Sequence, residues 1–180
     1  METPRLETER LVLRPITVED MGFVYELFSR PETNRYSGHE SPKSLEEAGE
    51  LYDKYMKPGS PSRFRVAVEL KETGEPVGTL GLYSYSERDG RAELGYDLLE
   101  EHWGLGIMTE AIREVVRYGF EEIGLNRIEA TIDPENTRSV RLVERLGFRR
   151  EGFLRERFFY SGKRRDELVY GLLKSDWDDG

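Results

Sequence analysis

The chain of 180 residues sets 27 Lys and Arg against 36 Asp and Glu, a formal net charge of −9, with two His and no Cys. The lack of cysteine excludes a disulfide framework, an iron–sulfur site, cysteine-ligated zinc and a catalytic thiol; His39 and His102 alone cannot build a His-rich centre, so no metal is expected. A hydrophobic fraction of 37% with eight Phe, ten Tyr and two Trp supplies a real core and excludes disorder. At this length one domain, residues 1–180, buries about 70% of the surface its unfolded chain exposes. No apolar run approaches the roughly 20 residues of a membrane span, and Met1–Arg10 is polar and charged rather than signal-like. The expectation is a soluble, cytoplasmic protein with no membrane partner. The 35% charged fraction suits a heat-stable surface.

The charge is unevenly spread. From Arg138 to Arg165 there are ten basic and three acidic residues, a local balance of +7 that leaves −16 for the rest. That segment is either a solvated basic face or a seat for a polyanionic ligand; the acidic remainder tolerates cationic partners and argues against nucleic acid.

In chain order, Arg10–Arg14 predicts a strand closed by Pro15. Thr17 with Asp20 opens a helix to about Ser29, which Pro31 ends. The polar stretch Glu32–Lys43, containing Tyr36 and His39, predicts a loop on the substrate side. Ser44 with Glu47 starts a second helix through about Lys57. Alternating Phe64, Val66, Val68 and Leu70 form a strand, with Val77–Ser86 as its hairpin partner and Arg91–Leu99 as a third antiparallel strand beyond the Asp89-Gly90 turn. A helix follows from about Ile107 to Ile123, its stripe being Met108, Ala111, Ile112, Val115, Val116, Gly119 and Phe120. Arg127–Asp133 is a strand ended by Pro134, and Asn136 caps a helix to Leu146, with Gly147 after it. Two strands, Phe148–Arg157 and Glu167–Lys174, flank a Ser161-Gly162 turn. One mixed α+β domain follows.

Two segments carry chemistry. In the first, a strand runs through Trp103-Gly104-Leu105-Gly106 into a helix. Consecutive backbone N–H groups, the open first turn and the positive dipole end make an anion cradle suited to a pyrophosphate. A Walker A loop is absent. Thr109 stands where a dinucleotide fingerprint needs its third Gly, and the strand before it is antiparallel. The second segment is Asp133-Pro134-Glu135-Asn136-Thr137-Arg138-Ser139, which could equally be an ordinary helix cap.

Together these segments resemble the GCN5-related N-acetyltransferase (GNAT) family, and more narrowly its RimJ/RimL branch of ribosomal-protein N-acetyltransferases. The likeness runs through LETERLVLRPIT, AELGYDLLEEHWGLGIMTEA, LNRIEATIDPENTRSVRLVERLGFRREG and DELVYGLLKSDW, nearly the whole chain. It implies the GNAT fold, a central mixed, mostly antiparallel sheet flanked by about four helices, and acetyl-coenzyme A as co-substrate. The pyrophosphate would then sit on the backbone of Trp103, Gly104, Leu105, Gly106, Ile107, Met108 and Thr109. Here Trp103 replaces the family's Gln/Arg and Met108 its Gly/Ala, so the Met side chain must find room beside the helix. The pantetheine arm would pair with Asp97, Leu98 and Leu99 as an added strand, Asn136 would bond it, and Ser139 would lie near the sulfur. Arg141 is a candidate for the 3′-phosphate.

Many relatives carry a Tyr on the last helix for the departing thiolate. The matching residue here is Val143, which leaves Ser139 as the candidate partner. Glu93 is the candidate base, acting directly or through a water, or else a salt-bridged strand residue. Asp97 shares its face but is the weaker choice, and a backbone N–H near Leu98 or Leu99 could face the thioester oxygen. Tyr36, Tyr83 and Tyr85 could shape the acceptor pocket. Arg10 and Arg14 read as structural, and His102 as an outer surface residue.

The expected acceptor is an amine, foremost the N-terminus of a protein, with a polyamine or other small amine as the alternative. A reading of another class is a coenzyme A–binding sensor without turnover. Met108 and Phe153–Phe159 could line a pocket for longer acyl groups, or be core. Phe158, Phe159, Tyr160 and Trp177 could cover a dimer interface, so the chain is expected as a monomer or homodimer.

Overall fold

The computed structural model describes residues 2–36, 40–160 and 162–177; His39 and Ser161 lie outside them. The strands are β1 (Leu6–Glu7), β2 (Leu11–Pro15), β3 (Phe64–Leu70), β4 (Pro76–Ser86), β5 (Arg91–Leu98), β6 (Arg127–Ile132), β7 (Arg149–Tyr160) and β8 (Lys163–Leu173). The helices are α1 (Met21–Ser29), α2 (Pro31–Asn34), α3 (Leu45–Tyr55), α4 (Ile107–Glu121) and α5 (Thr137–Arg145). The fold is the expected α+β arrangement. The strands form one eight-stranded sheet in the order β1-β2-β3-β4-β5-β6-β8-β7. Every neighbouring pair is antiparallel except β5 and β6, which α4 joins as a crossover between parallel strands.

Local chemistry explains most boundaries. The Ser44 Oγ accepts from the Glu47 amide at 3.2 Å, while the Glu47 carboxylate takes the Lys43 amide at 2.7 Å. Asp20 accepts the Thr17 amide at 2.8 Å. Pro31 ends α1 as expected but also opens the one-turn helix α2, because a ring-fixed φ and a missing N–H cost nothing at a first helical position. Met108 finds its room in the core, 5% exposed beneath α4.

The sheet has a helix layer on each face. On one, α4 and α5 pack Ile112, Val115, Val116, Leu142 and Val143 against Leu82, Leu94, Ile128 and Tyr170. On the other, α1 and α3 pack Val24, Leu27, Phe28 and Tyr52 against Ile16, Ala67 and Leu99. Along β5, Ala92, Leu94 and Leu98 are buried in the α4/α5 core, so by alternation Glu93, Gly95 and Asp97 look toward the α1/α3 side. No helix among the described residues is long and apolar enough to cross a membrane.

The aromatic residues near the C-terminus do not form one face. Phe153 and Phe159 are 44% and 68% exposed on β7, which lies at the sheet edge. The Tyr160 hydroxyl donates to the Asn34 carbonyl at 3.3 Å. Trp177 instead stacks near Phe120, with ring centroids 6.3 Å apart.

Candidate active site

Gly104 and Gly106 both take left-handed backbone, φ 78° and 77°, which a side chain would strain. Gly106 caps α4 without any side-chain acceptor, and the first intrahelical bond runs from the Glu110 amide to the Gly106 carbonyl at 3.1 Å. The Ile107, Met108 and Thr109 amides thus leave the helix end with no intrahelical partner, at its positive dipole end. Trp103 ties the surroundings together: its Nε1 donates to the Leu98 carbonyl at 2.8 Å, and the Arg138 guanidinium lies 3.6 Å from its ring centroid. Arg10, read as structural from the sequence, buttresses the loop from outside. Its Nη1 donates to the Leu105 carbonyl at 3.1 Å and its Nε to Glu110 at 2.6 Å.

Beside this loop the sheet opens. β5 and β6 pair only at Arg91↔Arg127, Ala92↔Ile128 and Glu93↔Glu129, although β5 continues to Leu98 and β6 to Ile132. Beyond Glu93 the facing edges are no longer bonded to each other, and an extended amide-bearing chain could enter as a strand between them. A continuous groove of about 2190 Å³ runs through this notch. Asp97, Leu98, Trp103, Gly104, Gly106, Ile107, Met108 and Thr109 line it from the β5 side, and Asn136, Ser139 and Arg141 from α5. Two expected contacts do not line it: Leu105 points outward, 57% exposed, and Leu99 is buried against α1 and α3. His102, expected on the outer side, does line it.

The donor set fits a coenzyme A. Amide donors at the α4 terminus suit a pyrophosphate and the unpaired β5 edge suits pantetheine amides. Arg113, Arg138, Arg141 and Arg145 line the same groove, and among the described residues none of them has a carboxylate partner. Asn136 acts as the cap, its Oδ1 accepting the Ser139 amide at 3.2 Å. Val143 is fully buried and offers the groove nothing polar. The Asp97 carboxylate is taken by Arg65, which also donates to Thr79 at 2.8 Å and 3.0 Å. The Asp97 backbone faces Thr79 in the β4 ladder, so against expectation Asp97 is closed to a ligand and the open β5 edge is offered by Tyr96 and Leu98.

On the α1/α3 side the groove continues past Tyr83, Thr131, Asp133, Phe158 and Glu167 to Tyr36 on the α2 segment. Glu93 is not in the wall itself. Its carboxylate accepts from the Thr131 hydroxyl at 2.7 Å and stands beside Tyr83. Burial, then the negative charge of Glu93, pushes the Tyr83 phenol well above its usual range. Glu167, absent from the sequence reading, lies in the wall with its carboxyl pushed up by burial and by Glu93 and Asp133, against the pull of Arg157. Its alternation along β8 opposite the Asp133 turn was the available signal. Tyr85 departs from the expected pocket and packs on the core. The β4–β5 register shifts between Tyr83 and Ser86, and Ser84 takes φ 53°, which re-aims the following side chain. The Tyr36 hydroxyl donates to the Glu135 carbonyl at 3.3 Å, drawing the α2 segment over this end.

A two-faced sheet with a parted parallel pair, a left-handed glycine loop under the notch and basic side chains along it define an acyl-coenzyme A–dependent transferase. The chain belongs to the GNAT family: the model described as "Acetyltransferase (GNAT) domain" matches residues 10–149. The uncharacterized N-acetyltransferase YoaA of Bacillus subtilis is 38% identical over 172 residues, 95% of this chain and 97% of that protein. The spermidine N(1)-acetyltransferase of Escherichia coli K12 is 31% identical over 156 residues, 87% of this chain and 82% of its own. Among solved structures, the Vibrio cholerae spermidine N-acetyltransferase in complex with coenzyme A and spermine superposes with TM-score 0.83 at 28% identity, covering 94% of this chain and 98% of that one. The chain is therefore an N-acetyltransferase of GNAT type. Among the described residues no group of three or more His, Cys, Asp or Glu could hold a metal ion.

Proposed function

We propose that the protein transfers the acetyl group of acetyl-coenzyme A to a primary amine of a small polycation of the spermidine class. The parting of β5 from β6 above the Gly104–Gly106 loop carries the cofactor half of this reading. The acceptor half departs from the protein N-terminus implied by the RimJ/RimL likeness. Three observations support it: the spermidine enzymes among the relatives, carboxylates gathered at Glu93, Asp133 and Glu167, and an α2 segment bonded across the acceptor end.

Acetyl-coenzyme A supplies an activated thioester. The chain's own residues bind, orient and handle protons. The Ile107, Met108 and Thr109 amides hold the pyrophosphate, Arg138 and Arg141 neutralise phosphate charge, and the β5 edge with Asn136 aligns the arm so that the thioester sits in the notch. An aliphatic amine, with a pKa near 10 like that of lysine, arrives as ammonium and is unreactive until it loses a proton. Carboxylates on the α1/α3 side hold the cation. Glu93 takes the proton through a water, since Thr131 and Tyr83 stand between it and the groove, and Glu167 shares the acidic wall. The nitrogen attacks the carbonyl carbon, the C–S bond breaks, and the sulfur leaves toward the α5 side, where the Ser139 hydroxyl donates a hydrogen bond to it.

Because the chain has no Cys, a thiol reagent reports released coenzyme A without protein background. Acetyl-coenzyme A is offered with spermidine and spermine, with peptides bearing free N-termini and with small monoamines. Acceptor-dependent release with polyamines is the expected result. Release with peptides alone overturns the acceptor in favour of the RimJ/RimL reading. Binding of coenzyme A without release from any of them overturns the transferase reading in favour of a sensor.

A further inference from the structure

Tyr96 sits on β5 with its ring against the α4/α5 core, between Leu94 and Leu98. It lines the groove, yet its hydroxyl is buried and makes no hydrogen bond. A buried phenol without a partner forfeits about 1–3 kcal/mol of desolvation, so a position that keeps one calls for an explanation. The Ser139 hydroxyl stands beside it with no bond closed between the two. An isosteric Phe would fill the same core space without that cost.

The geometry points to Tyr96 as a positioning residue for Ser139: its O–H donates to the Ser139 Oγ and turns the Ser139 O–H toward the sulfur of bound coenzyme A. This rests on the reading of Ser139 as the thiolate partner. The two faces of β5 then divide the work. Glu93, on one face, serves the entering amine, and Tyr96, on the other, serves the departing sulfur through Ser139. As C–S cleaves, the electron pair goes to sulfur and Ser139 stabilises it by hydrogen bonding, with Tyr96 supplying the replacement donor to Oγ. The proton lost by the amine goes to the opposite face, so no proton is created or consumed in the relay. Burial pushes the Tyr96 phenol up to about 12, although Ser139 opposes this, so it stays a donor across the neutral range. Such a tyrosine also answers the lack of a hydroxyl at Val143, from a strand instead of a helix.

The test reads the thiol of bound coenzyme A directly. With no Cys in the chain the thiol is the ligand's alone, and its ionisation is followed by NMR on coenzyme A carrying ¹³C beside the sulfur, a signal to which the ten Tyr of the chain do not contribute. Coenzyme A is titrated with pH on the wild type, Tyr96→Phe, Ser139→Ala and the double variant, with dissociation constants and melting temperatures measured alongside. In the wild type the bound thiol is expected to ionise at lower pH than free coenzyme A. Tyr96→Phe should move it back upward and lower kcat about tenfold with KM for acetyl-coenzyme A unchanged, the scale of one well-placed hydrogen bond. In the Ser139→Ala background Tyr96→Phe should add nothing. An unchanged thiol titration in Tyr96→Phe overturns the inference, as does an effect that persists at full size without Ser139. A change confined to melting temperature or KM marks Tyr96 as packing only and overturns it too. Failure of coenzyme A to bind the wild type overturns the transferase reading beneath it, a separate outcome because no acceptor is present.

Discussion

Asp20 is 8% exposed and accepts both terminal nitrogens of Arg14 at 2.9 Å, together with the Thr17 amide. Burial pushes its carboxyl up, but the Arg14 hydrogen bonds, the Thr17 amide and the Arg14 charge more than offset this and hold it below the usual range. A depressed carboxylate contributes stability that is present above its unfolded pKa and lost as pH falls through the folded one. Asp20→Asn should therefore cost about 2 kcal/mol in denaturant unfolding at neutral pH, the worth of a charged hydrogen-bonded pair, and progressively less in acid. Glu167 runs the opposite way. Its carboxyl is raised, so ionising it works against the folded state as pH climbs past the unfolded value. Glu167→Gln is expected to stabilise the protein at neutral pH and to change nothing below about pH 4, where the unfolded carboxyl is protonated as well. On the proposed role, Glu93→Gln should cut kcat by about 10²-fold, the usual scale for a general base, read from initial rates with KM for acetyl-coenzyme A measured alongside. The face of β5 on which Glu93 lies was legible from strand alternation. That Thr131 bonds its carboxylate and holds it out of the groove wall was not, because the reach of a side chain across two parted strands is set by tertiary geometry.

Helices α1, α3, α4 and α5 and seven of the strands were readable in the chain, since caps, prolines and periodicity agree at each of them. The one-turn α2 was not, because Pro31 reads as an end and a start alike. Nor was the two-residue β1, too short to show alternation. The aim of Tyr85 depends on the bulge at Ser84, which is set by the β4–β5 pairing and not by local sequence. The Gly-x-Gly loop was plain, and its demand on backbone can be tested. A Cβ on Gly106 would meet only the end of Arg10 at 3.5 Å, so Gly106→Ala is resisted by φ 77° alone. That strain should lower stability by about 1–2 kcal/mol and raise KM for acetyl-coenzyme A, read by thermal melting and initial rates. Asn136→Ala removes the cap of α5 and should cost about 1 kcal/mol in the same melts.

Across the whole molecule the net charge of −9 conceals a run of arginines, Arg113, Arg138, Arg141 and Arg145, along one side of the groove. Exposed charges are screened beyond about 8 Å at physiological ionic strength. KM for acetyl-coenzyme A should thus climb several-fold with added salt while kcat holds, and Arg138→Ala should weaken that dependence more than Arg150→Ala, which lies off the groove. Only three rungs join β5 to β6. Strands β1–β5 and strands β6–β8–β7 are two pages joined by a short spine, with α4 laid across it. A ligand that threads between the pages and bonds both would lengthen that spine and serve as a structural clasp as much as a substrate. The amide hydrogens that face the opening, those of Tyr96 and Leu98 on β5 and of Thr131 on β6, should exchange freely in the empty protein and slow together on binding, while Gly95 and Asp97, paired to β4, and Ala130 and Ile132, paired to β8, stay protected throughout.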